Sequence, residues 1–147
     1  MKLFRTVICV LTFVLFAISV KSQTLTEKQK EREKNKVDIY SSEEKDNLQR
    51  WFYEQTNMLG LSESVRDNYE GIISDNVFDM RRLNDKDSGN SQEEIISKFN
   101  KLVKKTNASV KPLLTDDQYT KHLNNFGRLA DGAINKQKKI WNEHGWG

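Results

Sequence analysis

The chain has 147 residues, with 24 Lys and Arg against 21 Asp and Glu. The formal charge of +3 resides in the first 22 residues, where Lys2, Arg5 and Lys21 stand without an acid; the other 125 carry 21 charges of each sign. The basic isoelectric point is therefore no argument for nucleic acid or anionic membrane as a partner. The single cysteine, Cys9, falls in the same stretch, which excludes disulfides, thiolate metal sites and cysteine nucleophiles from the rest of the chain.

Met1–Arg5 is a short basic start, and Thr6–Val20 is an uncharged, mostly apolar run. Small residues suited to cleavage follow at Ala17-Ile18-Ser19 or Val20-Lys21-Ser22. This is the pattern of a secretory signal peptide over residues 1–22, and the run is too short to span a bilayer comfortably. Ile8 precedes Cys9 where a lipoprotein site wants a small residue. No second apolar run is long enough for a membrane span, so the sequence predicts an exported protein of one domain. Of 53 apolar residues 15 lie in the leader, leaving 38 of 125, about 30%. Average globular chains hold roughly 45–50%. Such a chain buries a thin seam, which favours long helices in an open arrangement.

Residues 23–40 are dense in charge and carry only Leu25, Val37, Ile39 and Tyr40 as apolar residues. Pairs such as Glu27/Lys30 and Glu31/Lys34 favour a frayed helix, but the composition predicts a flexible charged arm. The helical domain is expected over residues 41–147. A first helix begins at the capping box Ser41-x-x-Glu44, carries Leu48, Trp51, Phe52 and Met58, and stops at Gly60. A second starts at Ser62 and presents Val65, Tyr69, Ile72, Ile73, Val77, Met80 and Leu83 at steps of three and four. The turn Asn84–Asn90 leads to a second box, Ser91-x-x-Glu94, and a third helix with Ile95, Phe99, Leu102, Val103, Thr106, Val110 and Leu113. Pro112 should end or kink it. A fourth helix carries Tyr119, Leu123, Phe126, Ala130, Ala133 and Ile134 toward Trp141, weakened by Gly127 and Gly132. Residues 62–80 hold five acids against Arg66, and residues 95–111 hold five lysines and no acid. The second and third helices should then lie antiparallel, with complementary flanks.

Leu114-Thr115-Asp116-Asp117-Gln118 is a helix start with a stated mechanism. Thr115 caps the first turn, Gln118 reaches back to the cap, Leu114 staples against Tyr119, and the two acids suit the positive end of the dipole. Leu61-Ser62-Glu63-Ser64-Val65, 53 residues upstream, looks like a degraded copy in which Val65 replaces the glutamine. Leu25-Thr26-Glu27-Lys28-Gln29 fits the pattern too, and its place in the arm makes it read as coincidence. The run Leu113–Tyr119 followed by His122, Leu123, Asn124, Asn125 and Phe126 resembles the C-terminal signature of the Spy/CpxP family of periplasmic LTxxQ-motif proteins. The likeness covers roughly Leu59–Phe126. It implies an all-α fold of four helices in two antiparallel hairpins, a periplasmic location and a possible homodimer. It also implies an ATP-independent chaperone or envelope-stress accessory protein that binds unfolded or partly folded client proteins on an open amphipathic surface.

Each signal also has a plainer reading. The motif residues Leu61, Ser62, Leu114, Thr115, Gln118 and Tyr119 are structural caps when taken alone. Lys98, Lys101 and Lys105 form a stripe that reads as a client-binding face or, more simply, as a solvated face balancing the acidic helix. Phe78 and Ile96 fall off the main seams and are candidate exposed apolar contacts. His122, by default a packed histidine, and His144 are the weak metal candidates, and two histidines define no coordination sphere. Asn107-Ala108-Ser109 is formally a glycosylation sequon inside a predicted helix. No catalytic motif stands out, and the sequence predicts neither an enzyme nor a cofactor. The alternatives to a chaperone are a periplasmic metal-binding sensor or buffer and a helical interaction module for a dedicated envelope partner.

Overall fold

A computed structural model describes residues 26–144. The expected signal peptide, Leu25, residues 145–147 and the side chain of His144 lie outside the described part. Among the described residues the fold is all-helical, with five α-helices and one 3₁₀ turn rather than four helices. The chain divides into two compact units between Lys34 and Asn35.

The first unit contains the additional helix, α1 (Glu27–Asn35, whose last residue belongs to the second unit). Thr26 N–H donates to Gln29 Oε1 at 2.8 Å, and Gln29 N–H donates to Thr26 Oγ1 at 3.3 Å. The Leu25–Gln29 pattern, expected to be coincidental, thus makes a reciprocal cap. Glu27 pairs with Lys30 at 2.8 Å, and no residue of α1 is buried. A sequence of good helix formers with a cap needs no apolar face to begin a helix.

The second unit opens with the remainder of the segment read as an arm, and this part is tied down. The Asn35 carbonyl accepts from Lys86 N–H at 2.8 Å, and Asp38 pairs with Lys45 at 2.8 Å, Lys36 at 3.4 Å and Arg81 at 3.5 Å. Partial burial pulls the Asp38 carboxyl upward, but the ammonium groups of Lys45 and Lys36 outweigh this and hold it below its ordinary value.

Four helices follow: α2 (Ser42–Asn57), α3 (Glu63–Arg82), α4 (Gln92–Val110) and α5 (Asp116–His144). Ser41 and Ser91 make the expected capping boxes with Glu44 and Glu94. Gly60 takes a left-handed φ of +64° just past α2, where a side chain would be strained. The α-helical run of α4 stops at Val110, and Pro112 lies in the 3₁₀ turn Lys111–Leu113. Gly127 and Gly132 do not interrupt α5. Its far half is held by burial of Ala130, Gln137 and Trp141, by the Asn84–Gln137 hydrogen bond and by the Lys136–Glu44 ion pair.

The seam joins all four of these helices. Leu59, Tyr69, Ile73, Met80, Val110 and Phe126 form its buried cluster, with Phe52, Leu61, Ile72, Phe99, Leu102, Leu114 and Tyr119 packed around it. Two residues assigned to seams point elsewhere: Met58 is 63% exposed and Leu123 is 39% exposed. Along α2 and the turn that ends it the inward positions are Phe52, Thr56 and Leu59, spaced at three to four residues, and Met58 falls outside that stripe. Thr106 is fully buried, and its hydroxyl donates to the Leu102 carbonyl at 2.8 Å.

Candidate functional site

The motif at the start of α5 is a cap with a third connection. Thr115 N–H donates to Gln118 Oε1 at 3.0 Å, and Gln118 N–H donates to Thr115 Oγ1 at 3.3 Å. The same Gln118 side chain donates from Nε2 to the Leu59 carbonyl at 3.0 Å. Leu59 is buried at the end of α2, two residues before Leu61-Ser62. One glutamine therefore closes its own helix and holds the chain that leads into the upstream copy. A glutamate could accept in the cap, but it has no proton to give to Leu59 at neutral pH.

The upstream copy is weaker, as its sequence suggests. Ser62 occupies the cap of α3 but makes no side-chain cap bond, and the half-buried Val65 has no polar group to complete a box. Leu61, Leu114 and Tyr119 are half-buried against the core cluster, while Ser62 and Thr115 are exposed.

Behind the motif lies a buried polar network that the sequence did not disclose. His122 has no exposed surface. Its Nδ1 sits 2.9 Å from Tyr69 Oη in α3, and its Nε2 sits 2.9 Å from Asn107 Oδ1 in α4. The amide oxygen of Asn107 can only accept, which assigns the ring proton to Nε2 and leaves Nδ1 to accept from Tyr69. The ring stacks on Phe126 with centroids 5.4 Å apart and on Tyr119 at 6.0 Å, and it meets Tyr69 edge-on at 5.6 Å. Burial disfavours the imidazolium and lowers the pKa of His122 to about 4. The Tyr69 phenol is raised well above its ordinary value, chiefly by burial and secondarily by the charge of Glu70.

This network bears on two smaller questions of role. Both ring nitrogens of His122 are engaged, so metal ligation there requires dismantling the network. Among the described residues no group of three His, Cys, Asp or Glu side chains is arranged to hold a metal ion. The Asn107 amide that the sequon would offer for glycosylation is the acceptor for His122. Tyr69 and Asn107 carry no motif, and only their pairing with His122 across helices reveals their part.

The candidate binding residues are not brought into one cluster. Phe78 is 51% exposed, with the Arg82 guanidinium 6.0 Å from its ring centroid. Ile96 is half-buried, so it is a weaker exposed contact than its off-seam position suggests. Lys98, Lys101 and Lys105 are exposed on α4, and Lys98 donates to Asn90 Oδ1 in the preceding turn. The sequence reading missed Tyr53, 59% exposed under the Arg66 guanidinium at 5.0 Å, and the equally open Met58. The amphipathic stripe of α2 gives the signal for both, since each lies outside its inward positions.

No protein-family model, curated protein or solved structure matches this chain. No described helix is long and apolar enough to cross a membrane.

Proposed function

We propose that this protein is an exported, ATP-independent chaperone or envelope-stress accessory protein of the Spy/CpxP kind, acting in the periplasm. In this reading α2–α5 form two helical hairpins in an open arrangement. Partly unfolded clients are held by weak apolar contact, with charged flanks steering the encounter. The observation that carries the reading is the bond from Gln118 to the Leu59 carbonyl, which unites the full motif with the chain entering the degraded copy. It gives the repeated pattern a shared architectural task beyond two separate helix caps. The exposed Tyr53, Met58 and Phe78 supply apolar contact area on α2, its end and α3.

Light scattering from a reduced, aggregating model protein tests the reading in the absence of nucleotide. Suppression is expected at about one to two chains per client, and changing Tyr53, Met58 and Phe78 together to serine should weaken it severalfold. These side chains lie outside the buried cluster, so the triple variant should keep its thermal midpoint within a few degrees. Undiminished client aggregation at stoichiometric amounts of the parent chain would rule out chaperone activity on that client.

A further inference from the structure

A cavity of about 460 Å³ opens where the Asn84–Asn90 turn, the first turn of α4, the far half of α5 and Val37 come together. Val37, Ile95 and Trp141 supply its apolar lining. Two of its lining residues are nine-tenths buried and still hold an unused polar atom. Asp85 is 5% exposed; its Oδ2 lies 2.9 Å from the Arg82 guanidinium, and its Oδ1 has no partner among the described residues. Trp141 is 6% exposed, and its indole N–H likewise has no partner among the described residues. Neither atom is sealed in the interior, where the unpartnered side-chain atoms among the described residues are Thr56 Oγ1 and Asn76 Oδ1. Buried polar atoms left open to a cavity take water or a ligand as partner.

The start of α4 adds donors to the same cavity. Ser91 Oγ accepts from the Glu94 N–H, while the Gln92 and Glu93 N–H groups of the first turn have no acceptor among the described residues. These N–H groups and the positive end of the helix dipole suit a carboxylate. The Asp85 carboxylate suits an ammonium. Lys86 and Glu93 are exposed at the rim and cancel in charge. A simple anion would meet Asp85, and a simple cation would meet the helix end; a small zwitterion answers both. We infer that this cavity binds a free α-amino acid with an apolar side chain. Its carboxylate lies at the Gln92 and Glu93 N–H groups, its ammonium at Asp85, and its side chain against Val37 and Ile95. The indole N–H of Trp141 is a further donor to the ligand. Small-ligand pockets begin near 300 Å³, so the space suffices for leucine or phenylalanine. The inference goes beyond the proposed activity and does not depend on it, since Tyr53, Met58 and Phe78 take no part in the cavity.

Calorimetric titration of the full chain with leucine and with phenylalanine tests the site. At least one of the two should bind with a Kd below about 1 mM. The amide of that amino acid lacks the carboxylate and its N-acetyl derivative lacks the ammonium, so each should bind at least about tenfold more weakly. Gln92→Pro deletes one N–H at the first helical position, where proline is tolerated, and Ser91, at φ −71° and ψ 167°, already suits a following proline. This variant should bind at least about fivefold more weakly, and Asp85→Asn at least about tenfold. Thermal melts establish that the variants are folded; should Asp85→Asn fail to fold for want of its Arg82 pair, Gln92→Pro decides. Absence of saturable binding of both amino acids up to about 5 mM overturns the inference. So does equal affinity for the amide or the N-acetyl derivative, or full affinity in either folded variant.

Discussion

His122 has the most demanding surroundings of any described side chain. It is fully buried, stacked on Tyr119 and Phe126, and hydrogen-bonded on both sides to residues of two other helices. Its folded pKa of about 4 lies below the ordinary histidine value of 6.5. Between those values the unfolded chain binds a proton that the folded chain refuses. The neutral ring's full contribution is therefore present above pH ~6.5 and is lost as pH falls toward 4. The expected loss is on the order of 2 kcal/mol, allowing for partial relaxation of the site. Urea unfolding measured from pH 7 to 4.5 should show that slope in the parent chain and a flatter one in His122→Phe. Parallel slopes would assign the pH dependence to other groups. His122 was legible as a packed histidine, because it lies three residues from Tyr119 and four from Phe126 on one helix face. Its partners were not, since Tyr69 and Asn107 approach it only after three helices pack.

The helix starts show how far local chemistry carries. Ser41, Ser91 and Thr115 each make side-chain cap bonds with a Glu or Gln three residues on, and Ser62, followed by Val65, makes none. Alanine at Ser91 or Thr115 should therefore cost about 1 kcal/mol, and at Ser62 less than about 0.5 kcal/mol. Gln118→Glu separates the two tasks of the motif glutamine. It retains an acceptor for the Thr115 N–H but sets a carboxylate against the Leu59 carbonyl, for an expected cost of about 1–3 kcal/mol. Denaturant midpoints decide both comparisons; an unchanged midpoint in Gln118→Glu would remove the Leu59 bond from any structural task. Caps were readable because a reciprocal box spans only four residues. The Thr26–Gln29 box was readable for the same reason, and low apolar content wrongly outweighed it as a guide to local structure.

In the second unit as a whole, long-range polar contacts hold what a thin apolar seam alone would leave loose. Residues 35–45 are fastened by the Asn35–Lys86 backbone bond, the ion pairs of Asp38 and the reach of Glu44 to Lys136. Lys136 hydrogen-bonds Glu44, the Ser41 N–H adds to it, and together they hold the Glu44 carboxyl below its ordinary value. Asp38 is well hydrated, so Asp38→Asn should lower global stability by less than about 1 kcal/mol. It should still speed amide exchange and limited proteolysis across residues 36–41, because the attachment there is local. Unaltered exchange in that segment would show that the backbone bond and neighbouring contacts suffice.

Periodicity and capping determined that residues 41–144 form successive helices and where most of them begin, because those signals act within one or two turns of chain. Composition likewise limited the interior to a narrow seam. Tertiary packing alone decided that α5 continues through two glycines, that Leu123 faces outward, and that His122 joins α3 to α4. It also decided that Gln118 reaches a carbonyl 59 residues away. These outcomes depend on which faces meet and which buried polar atoms find partners, and both are properties of the assembled helices rather than of any single stretch of sequence.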